Sequence, residues 1–356
     1  MLSLDDPRLL EKYDRSGMLA TIDSFPRQCL EAKNIGLAFN LPDHYKTPYR
    51  NIVCTGLGGS AIGSDVLRSY LWHEAKVPLF VNRNYLLPGF VDERTLVIVS
   101  SYSGDTEETI SAYRDASKKR AKLIVVTSNG VLRKLADKDN VPVVSIPKGL
   151  PPRCAIGYMF FPALILLSKI NIVKCDLRAV DETIKLLDDI RRNRAGFRVG
   201  EKKNIAKLTA ISIYDKYPVI YASQDYMDCV VTRWRGQLAE NAKTLSSGNL
   251  FPEMNHNEIT GWNNPKKILK GFIAVILKDA LDHPRISRRM DITKKMINKE
   301  GHRVIEISAL GRTRLARIFS LLYIGDFVSV YLAILNRTDP TPVERITYLK
   351  NALKER

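Results

Sequence analysis

From about residue 50 the chain alternates short apolar runs with amphipathic stretches. The runs 51–55, 77–82, 95–101, 121–127 and 141–146 are apolar on both faces, as parallel strands covered by helices on each side must be. Between them, 61–72, 105–116 and 131–136 carry apolar residues at helical spacing. Strand-then-helix alternation of this kind predicts a doubly wound parallel sheet. The pattern breaks at Lys148-Gly149-Leu150-Pro151-Pro152-Arg153, where the prolines restrict their neighbours and stop a helix. Residues 156–170 and 181–192 read as a helical connector, after which strands at 218–222, 271–277 and 303–307 alternate with helices at 227–243, 286–298 and 313–335. The expected fold is α/β, with two three-layer units. A helical segment (1–48) precedes the first unit (49–150), and a connector (151–205) leads to the second (206–356).

Composition narrows the partners. A chain of 356 residues with 45% apolar and 26% charged content suits two globular units. The formal charge of +17 is spread over many short basic clusters, and none alternates with aromatics as single-strand binders require. No nucleic-acid partner is expected; the positive field is better suited to drawing in an anionic small molecule. The apolar stretches 157–167 and 319–330 are too short or too interrupted to span a bilayer, and residues 1–15 lack the apolar core of a signal peptide. A cytoplasmic location without a membrane partner is the expectation. The five cysteines form no C-x-x-C pair and no metal-like cluster, so they read as buried thiols, with a disulfide left open.

Two strand-to-helix turns carry chemistry. Gly56-Leu57-Gly58-Gly59-Ser60-Ala61 matches the dinucleotide fingerprint G-x-G-x-x-A. That fingerprint also wants a carboxylate about 20 residues later to hold a ribose, whereas the second predicted strand ends in Asn82-Arg83-Asn84. An Arg83 contact to a 2′-phosphate keeps an NADP-dependent oxidoreductase as one alternative. The second turn, Ser100-Ser101-Tyr102-Ser103-Gly104-Asp105-Thr106, offers hydroxyls and backbone N–H groups at the positive end of a helix dipole. A lone phosphate monoester gains from several neutral donors, so Gly59, Ser60, Ser101, Ser103 and Thr106 are the candidate phosphate contacts. Asp105, Glu107 and Glu108 would then have to point away from the anion.

Taken singly, the remaining candidates are ordinary. Glu240 with Lys243 fits a surface ion pair, and Arg153 after two prolines fits a linker arginine held rigidly. His256, with Glu253 and Glu258 nearby, lacks a second His or Cys at ligand spacing, and Lys350 reads as a solvated helix residue. Together with the turns, however, these segments resemble a known family. Gly58-Gly59-Ser60, Ser101-Tyr102-Ser103-Gly104-Asp105-Thr106-Glu107-Glu108-Thr109 and Pro152-Arg153 resemble the sugar isomerase (SIS) fold. Gln237 to Lys243, Asn255-His256-Asn257-Glu258 and Asp339 to Lys350 narrow the likeness to the archaeal bifunctional phosphoglucose/phosphomannose isomerases, over about 50–350.

The resemblance implies two SIS-type subdomains and interconversion of glucose 6-phosphate or mannose 6-phosphate with fructose 6-phosphate. It implies that Glu240 moves a proton between C1 and C2 and that Arg153 faces the cis-enediolate. His256 and Lys350 would open the sugar ring, His256 entering the partner subunit's site in a homodimer. Thr341 is a candidate for orienting a water or the C2 hydroxyl. No metal and no organic cofactor is implied. A noncatalytic SIS sugar-phosphate-binding protein and an amino-sugar phosphate isomerase are the competing readings.

Overall fold

The computed structural model describes residues 3–353; the outer ends of the expected N-terminal segment and second unit lie outside the described residues. Among the described residues, nine strands form two all-parallel sheets. The first contains β1 (Asn51–Thr55), β2 (Leu79–Asn82), β3 (Thr95–Ser101), β4 (Lys122–Thr127) and β5 (Val143–Ser145) in the order β2-β1-β3-β4-β5. The second contains β6 (Tyr217–Ser223), β7 (Ser247–Phe251), β8 (Phe272–Lys278) and β9 (Val304–Ser308) in the order β7-β6-β8-β9.

Strand pleat assigns each apolar residue to a layer. In β1, Ile52 and Cys54 join the core shared with the helices Gly59–Leu71 and Ile156–Lys169, while Val53 turns to the helices Glu107–Lys118 and Gly130–Lys138. The second sheet divides likewise, with Ile220, Val275 and Leu277 in the shared core and Val219, Ala274 and Ile276 facing Met290 and Ile297 of the helix Pro284–Lys299. Each unit is thus a three-layer sandwich, and one continuous core joins their inner faces. The helix Arg314–Leu335 runs through that core. By length and hydropathy it could cross a membrane, yet every residue from Leu315 to Leu335 is buried in protein.

The hydrophobic pattern does not predict β7. Its sequence, Ser247-Gly248-Asn249-Leu250-Phe251, has no apolar run, because the strand is an edge paired only with β6 and buried fully only at Phe251. Gly248 is required there, since a Cβ would lie 2.5 Å from Val231 Cγ1 and 2.8 Å from the Ile220 carbonyl. The predicted helix 227–243 stops at Glu240, and Lys243 adopts a left-handed φ of 55°.

One helix pair positions the functional residues. The helices Gly59–Leu71 and Asp228–Glu240 each have 13 residues, about 20 Å, and pack together. Asp228, at the start of the second, binds Arg68 and accepts from Ser69 at 2.7 Å, near the end of the first. The pair is therefore antiparallel, and Glu240 is carried to the end where Gly59 begins.

The helix Arg314–Leu335 touches Asp228–Glu240 closely at Gly325, where a Cβ would lie 2.4 Å from Trp234 Nε1. That indole is buried and donates to the Leu321 carbonyl at 2.9 Å, so it cannot swing aside cheaply. Gly325→Ala is therefore expected to destabilise the protein by about 1–3 kcal/mol through overpacking, although alanine is the better helix former. Chemical denaturation should show a lower midpoint at unchanged slope.

Candidate active site

β1 and β3 are neighbours whose chain connections run in opposite directions, so a crevice opens beyond their carboxyl ends. Both turns bearing the candidate phosphate contacts lie there. The helix Gly59–Leu71 starts after Gly58 with no side-chain cap, and the helix Glu107–Lys118 starts after Thr106 with none. Two helix ends with uncapped N–H donors facing one crevice favour an anion.

The hydroxyls divide into two roles. Ser101, fully buried, accepts from the Gly104 amide at 3.1 Å and donates to Thr106 Oγ1 at 3.1 Å. Its single proton is thereby committed, whereas Thr106 keeps its own for a ligand. Ser60 Oγ accepts from the Tyr102 amide at 3.0 Å and Ser103 Oγ from the Asp105 amide at 3.3 Å, which leaves both hydroxyl protons available. Asp105 does turn away, accepting from the Val131 amide at 3.0 Å.

This crevice is tied to Arg153. A Cβ on Gly59 would lie 2.4 Å from the Pro152 carbonyl oxygen, so only glycine lets the turn rest on the Pro152-Arg153 backbone. Tyr102 ties the two from the other side, its hydroxyl donating to the Pro147 carbonyl at 3.0 Å and accepting from the Leu150 amide at 2.9 Å. Gln28 holds the following backbone, donating to the Cys154 carbonyl at 2.7 Å and accepting from the Gly157 amide at 2.9 Å.

The Arg153 side chain is 3% exposed. Its Nε donates to Asn241 Oδ1 at 2.6 Å, and Nη2 donates to the carbonyls of Pro340 and Thr341, each at 2.9 Å. Nη1 faces the Glu240 carboxylate at 3.4 Å, a long contact that leaves this edge open. Lys243 donates to the backbone carbonyls of Glu240 at 2.6 Å and Pro340 at 3.2 Å, not to the Glu240 carboxylate. Burial, with the Arg153 charge nearby, holds its ammonium below the usual lysine range. A cavity of about 770 Å³ opens beside Glu240, lined also by Lys12, Tyr13, Lys243 and Asp339. Thr341 Oγ1 is buried and has no hydrogen-bond partner among the described residues.

Arg153 and Glu240 are thus brought together, beside the turn that carries Gly59, Ser60, Ser101, Ser103 and Thr106. His256 and Lys350 are not brought to them within this chain. His256, itself exposed, ends the 3-10 turn Glu253–His256, and Lys350 lies on the helix Glu344–Ala352, none of whose residues is buried. Neither side chain makes a hydrogen bond or ion pair among the described residues. Arg83, weighed above for a 2′-phosphate, is instead held by Asp65, whose carboxyl burial raises above its ordinary range against the pull of Arg83. All five cysteines are free, Cys29, Cys54, Cys154 and Cys229 buried and Cys175 half-buried.

The second sheet repeats the topology but not the anion crevice. At the corresponding turn after β8, Asp279 and Asp282 are buried, and their carboxylates accept from the Leu281 amide at 2.6 Å and the Asp279 amide at 3.0 Å. Arg317 fills the space, donating to Asp279 at 2.6 Å. Backbone donors that would meet a phosphate are already used, and the local charge has the wrong sign. Hydroxyl-rich composition after a strand distinguished the first turn from the second. Tyr102, Gln28 and Asn241 were not singled out from sequence; Tyr102 and Asn241 at least lie within the motif segments, whereas Gln28, on the helix Phe25–Ala38, is far from them in sequence and gave no signal.

Comparison with known proteins identifies relatives of the chain. The model of the bacterial phospho-glucose isomerase C-terminal SIS domain matches residues 202–353. The chain is 45% identical over 339 residues to a bifunctional phosphoglucose/phosphomannose isomerase of Caldicellulosiruptor bescii, covering 95% of this chain and 99% of the relative. It is 36% identical to another so named from Aquifex aeolicus, covering 87% and 92% of the two chains. Among solved structures, a hypothetical protein from Thermus thermophilus shares the fold with a TM-score of 0.75 at 16% identity, over 98% of this chain and 92% of that one. Identity of 45% and 36% to these relatives, over most of both chains in each case, places the protein in the bifunctional phosphoglucose/phosphomannose isomerase family.

Proposed function

We propose that this protein is an aldose–ketose isomerase that interconverts glucose 6-phosphate and mannose 6-phosphate with fructose 6-phosphate. The carrying observation is the open Nη1 edge of buried Arg153 facing the Glu240 carboxylate at 3.4 Å, with Gly59 of the phosphate turn packed on the same backbone. An anchor, a base and a cation for a developing oxyanion thereby share one crevice.

The phosphate is bound by the N–H groups at Gly59 and by Ser60, Ser103 and Thr106, with Ser101 orienting Thr106. Lys350 and the partner subunit's His256 open the ring. Glu240 removes the C2 proton of the open-chain aldose, and the electron pair forms the C1–C2 double bond of a cis-enediolate. Arg153 stabilises the charge on oxygen by a preorganised donor, commonly the largest catalytic term. The same carboxylate returns its proton to C1 while the O2 proton moves to O1, completing the ketose. The buried Thr341 hydroxyl, with no partner among the described residues, is free to orient the C2 hydroxyl. Residues 49–150 anchor the phosphate, and residues 206–356 supply Glu240 and the C-terminal segment.

A coupled assay should show turnover of both hexose 6-phosphates, undiminished by a chelator. Glu240→Gln is expected to lower kcat by about 10²–10⁴-fold, the usual worth of a general base, with sugar phosphate still bound. Retained turnover would contradict the role of Glu240, whereas a wild-type protein that binds sugar phosphate without turning it over would be a binding protein. Thr106→Val should chiefly raise KM, by about 10-fold or more, because a hydrogen bond to a charged group contributes about 1.5–3 kcal/mol equally to ground and transition states.

The exposed position of His256 makes the shared site testable. Glu240→Gln and His256→Ala homodimers should each be nearly inactive. Co-refolded in equal amounts, they should recover about a quarter of wild-type activity, since half the dimers are mixed and each holds one intact site. No recovery would show that each chain uses its own histidine.

A further inference from the structure

The mechanism above uses the Nη1 edge of Arg153 but does not explain what aims it. Three neighbours do, and all are neutral acceptors: Asn241 Oδ1 on Nε, and the Pro340 and Thr341 carbonyls on Nη2. The two carbonyls hold one end of the fork and would allow it to pivot. Asn241 holds the other end at 2.6 Å, and with it the plane of the group is set.

The orientation of Asn241 is itself dictated. Arginine has only donors, so the atom facing Nε must be the amide oxygen, and the amide nitrogen must point the other way. It donates to Ser329 Oγ at 2.9 Å, which obliges that hydroxyl to donate onward, and it does so to the Asp326 carbonyl at 2.6 Å. Asp326 is fixed in turn by a bidentate pair with Arg233, both bonds 2.9 Å, and by Gln237 at 2.8 Å. Asn241 and Ser329 are fully buried, and Arg153, Arg233, Gln237 and Asp326 are nearly so, so water does not compete along the relay. Gln237, Asn241 and Glu240 lie on or at the end of one helix, so a single element presents the base and aims the cation.

We propose that Asn241 is a positioning residue, held by the Ser329–Asp326 relay, which fixes the rotation of the Arg153 guanidinium so that Nη1 faces the reacting sugar. This rests on the reading of Arg153 as the cation that meets the enediolate. In the full-length protein, Asn241→Ala should lower kcat for both hexose 6-phosphates by about 10- to 100-fold, as a misplacement of about 1 Å does, with KM changed less than about threefold. On an Arg153→Lys background the same substitution should cost less than about twofold, because nothing is left for Asn241 to aim. A purely structural role would multiply the two losses. Ser329→Ala removes only the hydroxyl and should show a smaller kcat loss that likewise vanishes on the Arg153→Lys background; it carries the test if Asn241→Ala does not fold. Full activity of Arg153→Lys would overturn the reading on which this rests. An impaired Arg153→Lys with wild-type kcat for Asn241→Ala, or with multiplying losses, would overturn the positioning role alone.

Discussion

An arginine side chain buried to 3% exposure is the constraint around which this molecule is arranged. Removing such a charge from water is costly unless every donor finds an acceptor, and a single carboxylate at 3.4 Å does not suffice. The Arg153 acceptors come from the helix Asp228–Glu240 with its C-cap Asn241, and from the Pro340-Thr341 segment. Segments distant in sequence must therefore meet at the loop after β5. The same contacts satisfy the charge and bring Arg153 to Glu240, and the edge held least tightly, by one contact of 3.4 Å, is the one that faces Glu240.

The antiparallel helix pair makes that meeting possible. Clamped by Arg68, Ser69 and Asp228 at one end, it brings Glu240 to Gly59 at the other. A residue of the second unit thus serves the crevice of the first. The two sheets share their strand logic but have diverged in polarity: hydroxyls and free N–H groups follow β3, whereas buried carboxylates and Arg317 follow β8. That inversion leaves the uncapped helix starts and available hydroxyls to the first sheet. The shared core between the sheets also accounts for the long apolar helix Arg314–Leu335, which needs no lipid because protein covers all of its described core residues.

Much of this was legible in the residues. The strands of the first sheet follow from runs apolar on both faces, and β1 and β3 have the expected bounds. The Ser101 to Thr106 turn announced an anion through its hydroxyls, and the missing carboxylate after β2 argued against a ribose. β7 was illegible for a definite reason: an edge strand half-covered by solvent is held by its hydrogen-bond ladder and needs no apolar pattern. Arg83 could be weighed for a 2′-phosphate because its partner, Asp65, lies on a helix 18 residues away, beyond what local pattern shows.

What the sequence determined by itself was local: which stretches become strands, where helices start, and which turn has the donors to hold a phosphate. These follow from periodicity and from the chemistry of short segments. The tertiary structure alone decided that Ser101 bonds Thr106, that Glu240 is no surface ion-pair residue but faces a buried arginine, and that Asn241 accepts from that arginine. Those outcomes depend on groups 5, 87 and 88 positions apart being brought within hydrogen-bond reach. Periodicity has no access to such distances, because packing between units sets them.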